Sequence, residues 1–113
     1  MNILERLVPL ELSGFDFFFD RGCYHAVRRV DAAGYLAAAL RWTAPGALGL
    51  VLAGSPRKTP GEGPPMVTEE ELCAELGRVF EIVRLREFWL DSAPGEKETW
   101  PAWSCWLRKP LAA

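Results

Sequence analysis

Histidine is almost missing from these 113 residues: His25 is the only one, and the three cysteines, Cys23, Cys73 and Cys105, stand far apart. With no CxxC pair and no second histidine, there is no zinc-binding spacing, and an odd number of scattered cysteines is not a disulfide framework. No apolar run approaches the ~20 residues that a membrane-spanning helix requires. The first apolar stretch is interrupted by acids and lacks the profile of a cleaved signal peptide, so a reducing cytoplasm is the expected location. A basic block is missing too, since 13 Lys and Arg against 15 Asp and Glu give a net charge of −2. Phosphate backbones call for a concentrated basic face, so nucleic acid is not an expected partner. Nor does a G-x-G-x-x-G string occur anywhere in the chain.

What is present is the composition of an ordinary globule, half hydrophobic and a quarter charged. A chain of this length makes one domain with enough core to fold without metals or disulfides. Residues 1–14 form a short N-terminal segment in which Ile3, Leu4, Leu7 and Val8 have helical spacing, with Pro9 ending the turn. Phe15 to Asp20 is short, aromatic and apolar on both faces except at Asp16, as a buried parallel strand is. Arg21-Gly22 breaks it. Asp31 can cap a helix over Ala32 to Trp42, closed by Pro45-Gly46. Ala47 to Ala53 is a second buried strand, which makes the first three elements a right-handed βαβ unit.

From Gly54 to Val67 the chain carries Pro56, Pro60, Pro64 and Pro65 and reads as a loop. Thr68 and Glu71 form a capping box for the next helix, and Glu69, Glu70 and Glu71 suit its positive end, with Gly77 beyond its last turn. Phe80 to Leu90 and Ala102 to Arg108 read as strands, and the helix-free turn between them predicts an antiparallel pair. The expected fold is therefore α/β, in the order β-α-β-α-β-β, with a mixed sheet and an antiparallel C-terminal hairpin.

In open α/β sheets ligands collect at the C-terminal ends of strands. That directs attention to Asp20, Arg21, Gly22, Cys23, Tyr24 and His25, and to the loop after Ala53. His25 is a candidate general base near neutral pH. Cys23, beside a helix start, is either a thiol of lowered pKa or a small buried hydrophobe. Gly61-Glu62-Gly63 looks like a phosphate loop, but Pro64 and Pro65 remove the N–H donors that such a loop uses. Trp100, Trp103 and Trp106 suggest an aromatic wall. On a strand, however, Trp103 and Trp106 face opposite sides, which favours packing.

The string from Phe15 through Asp20-Arg21-Gly22-Cys23-Tyr24 resembles the fourth-strand motif of class I S-adenosylmethionine (SAM)-dependent methyltransferases. In the thiopurine methyltransferase-like branch that strand ends in Asp-Arg-Gly. Gly63-Pro64-Pro65 resembles the same branch's Gly-Pro-Pro-Phe loop, with Met66 in place of Phe. The similarity runs from about Phe15 to Lys109, so residues 15–109 are identified as the C-terminal half of a Rossmann-like methyltransferase fold. It implies that the last strand inserts between its two predecessors. It also implies SAM as cofactor, with Asp20 and Gly22 beside it, and Asp20 and His25 as catalytic candidates. Arg21, Cys23, Tyr24, Pro64 and Pro65 would then line the side of a small acceptor, a thiol among the options.

Methyl transfer is an in-line displacement, so its catalysis is mostly alignment. The glycine-rich loop and ribose-binding acid of such enzymes lie in the other half, and 14 residues cannot hold a βαβ unit of about 30. The resemblance thus implies that the isolated chain is inactive. A homo-oligomer or a complementing N-terminal half would cover the edge of the first strand. The alternative is a non-catalytic oligomerising or interaction module of the same descent.

Overall fold

In a computed structural model, residues 14–57, 65–91 and 99–111 are described. Six elements follow the expected order: β1 (Phe15–Arg21), α1 (Cys23–Trp42), β2 (Thr43–Gly54), α2 (Glu69–Leu76), β3 (Glu81–Asp91) and β4 (Thr99–Arg108). The four strands form one sheet in the order β1-β2-β4-β3. β1 runs parallel to β2, as the helical crossover requires, while β4 is antiparallel to both its neighbours. The final strand does insert between its two predecessors, so the fold is a mixed, partial Rossmann-like sheet.

The first helix is longer than its sequence pattern suggests. It starts at Cys23 and runs through Trp42, with a break at Asp31, whose φ of −158° and ψ of 71° are not helical. The helix-start signal at Asp31 is real, because its carboxylate accepts a hydrogen bond from Gly34 N–H at 2.8 Å. It caps the second of two helical segments. The first, whose start the sequence suggests beside Cys23, has unmarked bounds because Gly22 sits at its N-cap with no side chain to signal them. β2 also begins earlier than Ala47. Its pairing with β1 jumps from Phe15↔Thr43 to Phe17↔Leu48, which accommodates Pro45 and Gly46 (φ 81°) in an irregular stretch.

Register decides which side of the sheet each residue faces. Phe18 and Asp20 on β1 stand opposite Gly49 and Val51 on β2, and these in turn stand opposite Leu107 and Cys105 on β4. This face packs under both helices, with Tyr24, Tyr35, Leu36, Leu72 and Leu76 closing the core. The Phe18 ring lies flat over Gly49, where a Cβ would come within 2.1 Å of it, and reaches Phe80 at 5.7 Å between centroids. Glycine at 49 is therefore a packing requirement, since an added methyl would displace the ring.

The alternate residues point the other way, where no described helix lies. Phe17 and Phe19 are 48% and 56% exposed, and Leu48 is 38% exposed. The three C-terminal tryptophans divide as a strand predicts. Trp103 packs against the helical core and donates its indole N–H to Val67 O at 2.8 Å, whereas Trp106 meets Phe17 on the open face at 6.1 Å. Trp100 lies under the Arg57 guanidinium at 5.3 Å. Among the described residues no helix is long and apolar enough to cross a membrane, and no cluster of three or more ligating side chains could hold a metal.

Candidate functional site at the strand ends

The C-terminal ends of β1 and β2 meet the first turn of α1 in one small region, and Asp20 organises it. Gly22 at the N-cap supplies no acceptor, so the carboxylate two residues earlier does. Asp20 Oδ1 accepts from Cys23 N–H at 2.7 Å, and Oδ2 accepts from Tyr24 N–H at 2.9 Å. Oδ2 also accepts from the Tyr35 hydroxyl, which lies one helical segment further on. A negative charge at a helix N-terminus is favourable in its own right. The side chain is 7% exposed, so its oxygens serve the scaffold around the turn.

Gly22 holds a φ of 99°, which only glycine adopts without strain, and its N–H reaches Leu52 O at 3.4 Å. A Cβ here would also press on His25 Nε2 at 3.3 Å. His25 in turn ties α1 to β2, for its Nδ1 accepts a hydrogen bond from Gly54 N–H at 2.8 Å. An accepting Nδ1 places the proton of the neutral ring on Nε2. The imidazole therefore offers a donor, not a free base, toward Gly22. Burial lowers its pKa, partly opposed by the charge of Asp20.

That geometry makes a pH-dependent prediction. The folded pKa lies below the ordinary 6.5, so the contribution of His25 is complete above pH 6.5. It declines as pH falls through the lowered value, because protonation ejects the Gly54 N–H. Chemical unfolding on either side of pH 6.5 should show lower stability on the acid side, and His25→Gln should remove that step.

Gly54 is the hub of the region. Its carbonyl accepts Val67 N–H at 2.8 Å, and it bridges Met66 as an isolated parallel pair. Thus the end of the proline-rich loop returns to the tip of β2, beside the β1–α1 turn. Pro65 is exposed next to it, while Pro64 and Gly63 lie outside the described residues. Ser55, fully buried, donates to Glu87 Oε2 at 2.8 Å and fixes β2 to β3 at the same level.

The remaining candidates separate. Arg21 is exposed and stands opposite Leu52, on the open side of the sheet. Cys23 is half-buried, and burial with the nearby Asp20 charge pushes its thiol up, so it behaves as a packed thiol and not as a thiolate. Tyr24 is completely buried; its ring lies 5.5 Å from Tyr35, and its hydroxyl donates to Glu75 Oε1 at 2.7 Å. It braces two helices and has no open surface of its own.

Around Tyr24 lies a group that local sequence patterns do not announce. Arg28 grips Glu75 with two hydrogen bonds, Nε to Oε1 at 2.8 Å and Nη2 to Oε2 at 2.7 Å, and reaches Glu71 Oε2 at 2.9 Å. Glu71 also completes the capping box with Thr68. The hydrogen bond from Thr68 N–H and the Arg28 pairing hold the Glu71 carboxyl down to about 2. These pairs span 43 to 47 residues of chain, which explains their silence in the sequence.

No protein-family model matches the sequence, and no curated protein sequence does. Solved structures do match the fold. One, from work on the conversion of a disulfide bond into a thioacetal group during echinomycin biosynthesis, has a TM-score of 0.75 at 19% identity, covering 100% of this chain and 55% of that one. A SAM-dependent methyltransferase from Methanosarcina mazei has a TM-score of 0.73 at 17% identity, covering 99% and 66%. The N-methyltransferase NodS from Bradyrhizobium japonicum, solved with S-adenosyl-L-homocysteine, has a TM-score of 0.62 at 13% identity, covering 97% and 52%. The chain thus has the fold found in SAM-dependent methyltransferases, and it spans between half and two thirds of the length of these three.

Proposed function

We propose that this chain is the acceptor side of a SAM-dependent methyltransferase, active when another polypeptide segment supplies the glycine-rich cofactor loop. The observation that carries the reading is the convergence at Gly54. There the Asp-Arg-Gly turn, the first turn of α1 and the end of the proline-rich loop meet at the carboxyl ends of two parallel strands. That is where an open α/β sheet binds its ligand. The fold likeness to SAM-dependent methyltransferases supplies the cofactor class.

Within this reading SAM supplies an electrophilic methyl group, and the residues of this chain supply alignment. Asp20 is a positioning residue that holds Gly22 and Arg21 in place through the α1 N-terminus. Gly22 lets a ligand approach the backbone closely. Arg21, exposed beside the turn, is suited to an anionic group on the acceptor. The neutral His25 contributes a donor at Nε2 and keeps the two strand tips together. Pro65 borders the acceptor side.

The Asp20-Arg21-Gly22 and Pro64-Pro65 motifs favour the thiopurine methyltransferase-like branch and a small thiol acceptor. The likeness to a structure concerned with disulfide-to-thioacetal conversion points to sulfur as well. A thiol with a pKa of about 8.5 needs little help from a base, which agrees with a His25 whose Nδ1 is already occupied by Gly54 N–H.

The test is titration calorimetry of the purified chain with SAM and S-adenosylhomocysteine, together with its mass in solution. The same titrations would be made on any complex that co-purifies with it. Micromolar binding by an assembly containing this chain, lost in Gly22→Val, supports the reading. A folded chain that binds neither ligand in any assembly supports the second reading, a non-catalytic interaction module. The lack of a G-x-G-x-x-G string favours that one, as does the place of β1 at the edge of the sheet among the described residues.

A further inference from the structure

On the face of the sheet that carries the helices, the covering layer ends at a definite row of side chains. Trp103 on β4 is roofed by the chain leading into α2, since its indole N–H reaches Val67 O at 2.8 Å. Its partner on β3 is Glu87, and the next pair on the same face, toward the start of β4, is Trp89 with Pro101. Trp89 is 68% exposed, although a tryptophan that served packing would bury its ring. Glu87 is exposed as well, and its carboxylate is held in place. Its Oε2 accepts from the hydroxyl of the fully buried Ser55 at 2.8 Å, and Ser55 N–H is fixed to Pro101 O at 3.0 Å. Among the described residues no cationic side chain pairs with Glu87 or stacks on Trp89. The Arg57 guanidinium lies on Trp100, which strand alternation puts on the other face.

We propose that Glu87, Trp89 and Pro101 form a binding site for an alkylated ammonium group. A carboxylate and the face of an indole both attract positive charge, so the pair selects a cation over an anion or a neutral group. Residues two apart on a strand share a face and stand about 7 Å from each other. A cation within about 6 Å of a ring centre and about 4 Å of a carboxylate oxygen therefore engages both at once. Pro101, directly across from Trp89, sets a rigid apolar wall beside the ring. That wall chooses among cations. A bare ammonium is strongly hydrated and gains little on an exposed surface, whereas an alkylated one holds water weakly and lays its methyl groups against Trp89 and Pro101. The buried Ser55 keeps one carboxylate oxygen engaged and so holds the other toward the ligand without a search over rotamers. Ser55 follows Gly54 directly, which puts this site at the same end of the sheet as the strand-end turn. Its residues lie on β3, β4 and the end of β2, and the argument for it is independent of the methyltransferase reading.

The test is a titration of the full chain, followed by the NMR signals of its indole N–H groups, with choline chloride and with 3,3-dimethylbutan-1-ol. The second compound has the shape of choline and no charge, and sodium chloride serves as the control for ionic strength. Trp89→Phe identifies the Trp89 signal by its disappearance. Choline should shift that signal saturably, with a Kd on the order of 10 mM, as one cation–π contact and one exposed ion pair would give. The neutral alcohol should bind at least about tenfold more weakly. Glu87→Gln keeps an acceptor for Ser55 and removes the charge, so it should weaken choline binding about threefold while the spectrum stays that of the folded chain. Trp89→Ala should abolish the shift at the Glu87 backbone N–H. Equal binding of choline and the alcohol would overturn the proposal, for the patch would then be apolar only. So would a folded chain whose Trp89 signal choline leaves unmoved, or choline binding that Trp89→Ala leaves unchanged. None of these measurements involves SAM, so they stand apart from the calorimetric test.

Discussion

Asp20→Ala is expected to lower the unfolding free energy by about 3 kcal/mol, the sum of a lost helix cap and a stranded buried hydroxyl. The cap consists of the two N–H groups of Cys23 and Tyr24, which have no other described acceptor once the carboxylate is gone. Such a loss alone costs about 1 kcal/mol. The Tyr35 hydroxyl adds more, because it is buried and loses its acceptor. Asp20→Asn keeps one acceptor oxygen and should recover about half of the loss. Tyr35→Phe should cost about 1 kcal/mol, and the double variant Asp20→Ala/Tyr35→Phe should cost less than the sum of the singles, since the stranded hydroxyl is then absent. Urea unfolding measures all four. A cost for Asp20→Ala near that of a surface substitution, about 0.5 kcal/mol, would mean the carboxylate does not hold the turn. In that event the Arg21 and Gly22 positions would need another explanation.

How much of this was legible in the sequence depends on how far each signal travels along the chain. β1 and β2 were readable from their nearly continuous apolar runs, β3 from its β-forming residues, and α2 because Thr68 and Glu71 lie within one turn of each other. Asp20, Gly22 and His25 stood out as polar or glycine residues at a strand end, and the fold does gather them. Their tasks were not readable. Whether a carboxylate caps a helix or moves a proton depends on Tyr35, fifteen positions away, and whether His25 is a base depends on Gly54, twenty-nine positions away. The resemblance put Tyr24 on the acceptor side, and its bracing role was not readable because its partner Glu75 is fifty-one residues distant. The first segment of α1 was suggested only as a start beside Cys23 and not bounded, since its capping carboxylate, Asp20, lies outside the positions where caps are sought. The open face became visible only with register, which sorts Phe17 and Trp106 from Phe18 and Cys105.

Glu75→Ala should be as damaging as Asp20→Ala, about 3 kcal/mol, although no functional motif contains it. Its carboxylate neutralises Arg28, whose side chain is 8% exposed, and accepts the hydroxyl of Tyr24, which is fully buried. Removing it leaves a nearly buried cation with one exposed partner, Glu71, and a phenol with none described. The double variant Arg28→Met/Glu75→Leu should be milder than Glu75→Ala, because no unpaired charge remains. The pH profile separates this group from His25. The hydrogen bonds from Arg28 hold the Glu75 carboxyl below its ordinary 4.5, so its contribution is complete above pH 4.5 and fades as pH falls through the lowered value. The His25 contribution begins to fall at a higher pH, below 6.5, and that fall should survive in Glu75→Ala. The consequence reaches the strand ends. α2 follows directly on Met66 and Val67, and Arg28 binds it to α1, so loss of Glu75 should loosen the Val67 N–H bond to Gly54. Hydrogen exchange at Val67 should then quicken more than exchange at Leu50 or Val51 in the centre of β2. Uniform quickening at all three would instead mean that the sheet opens as one unit, and that the α1–α2 brace serves global stability without holding the loop end in place.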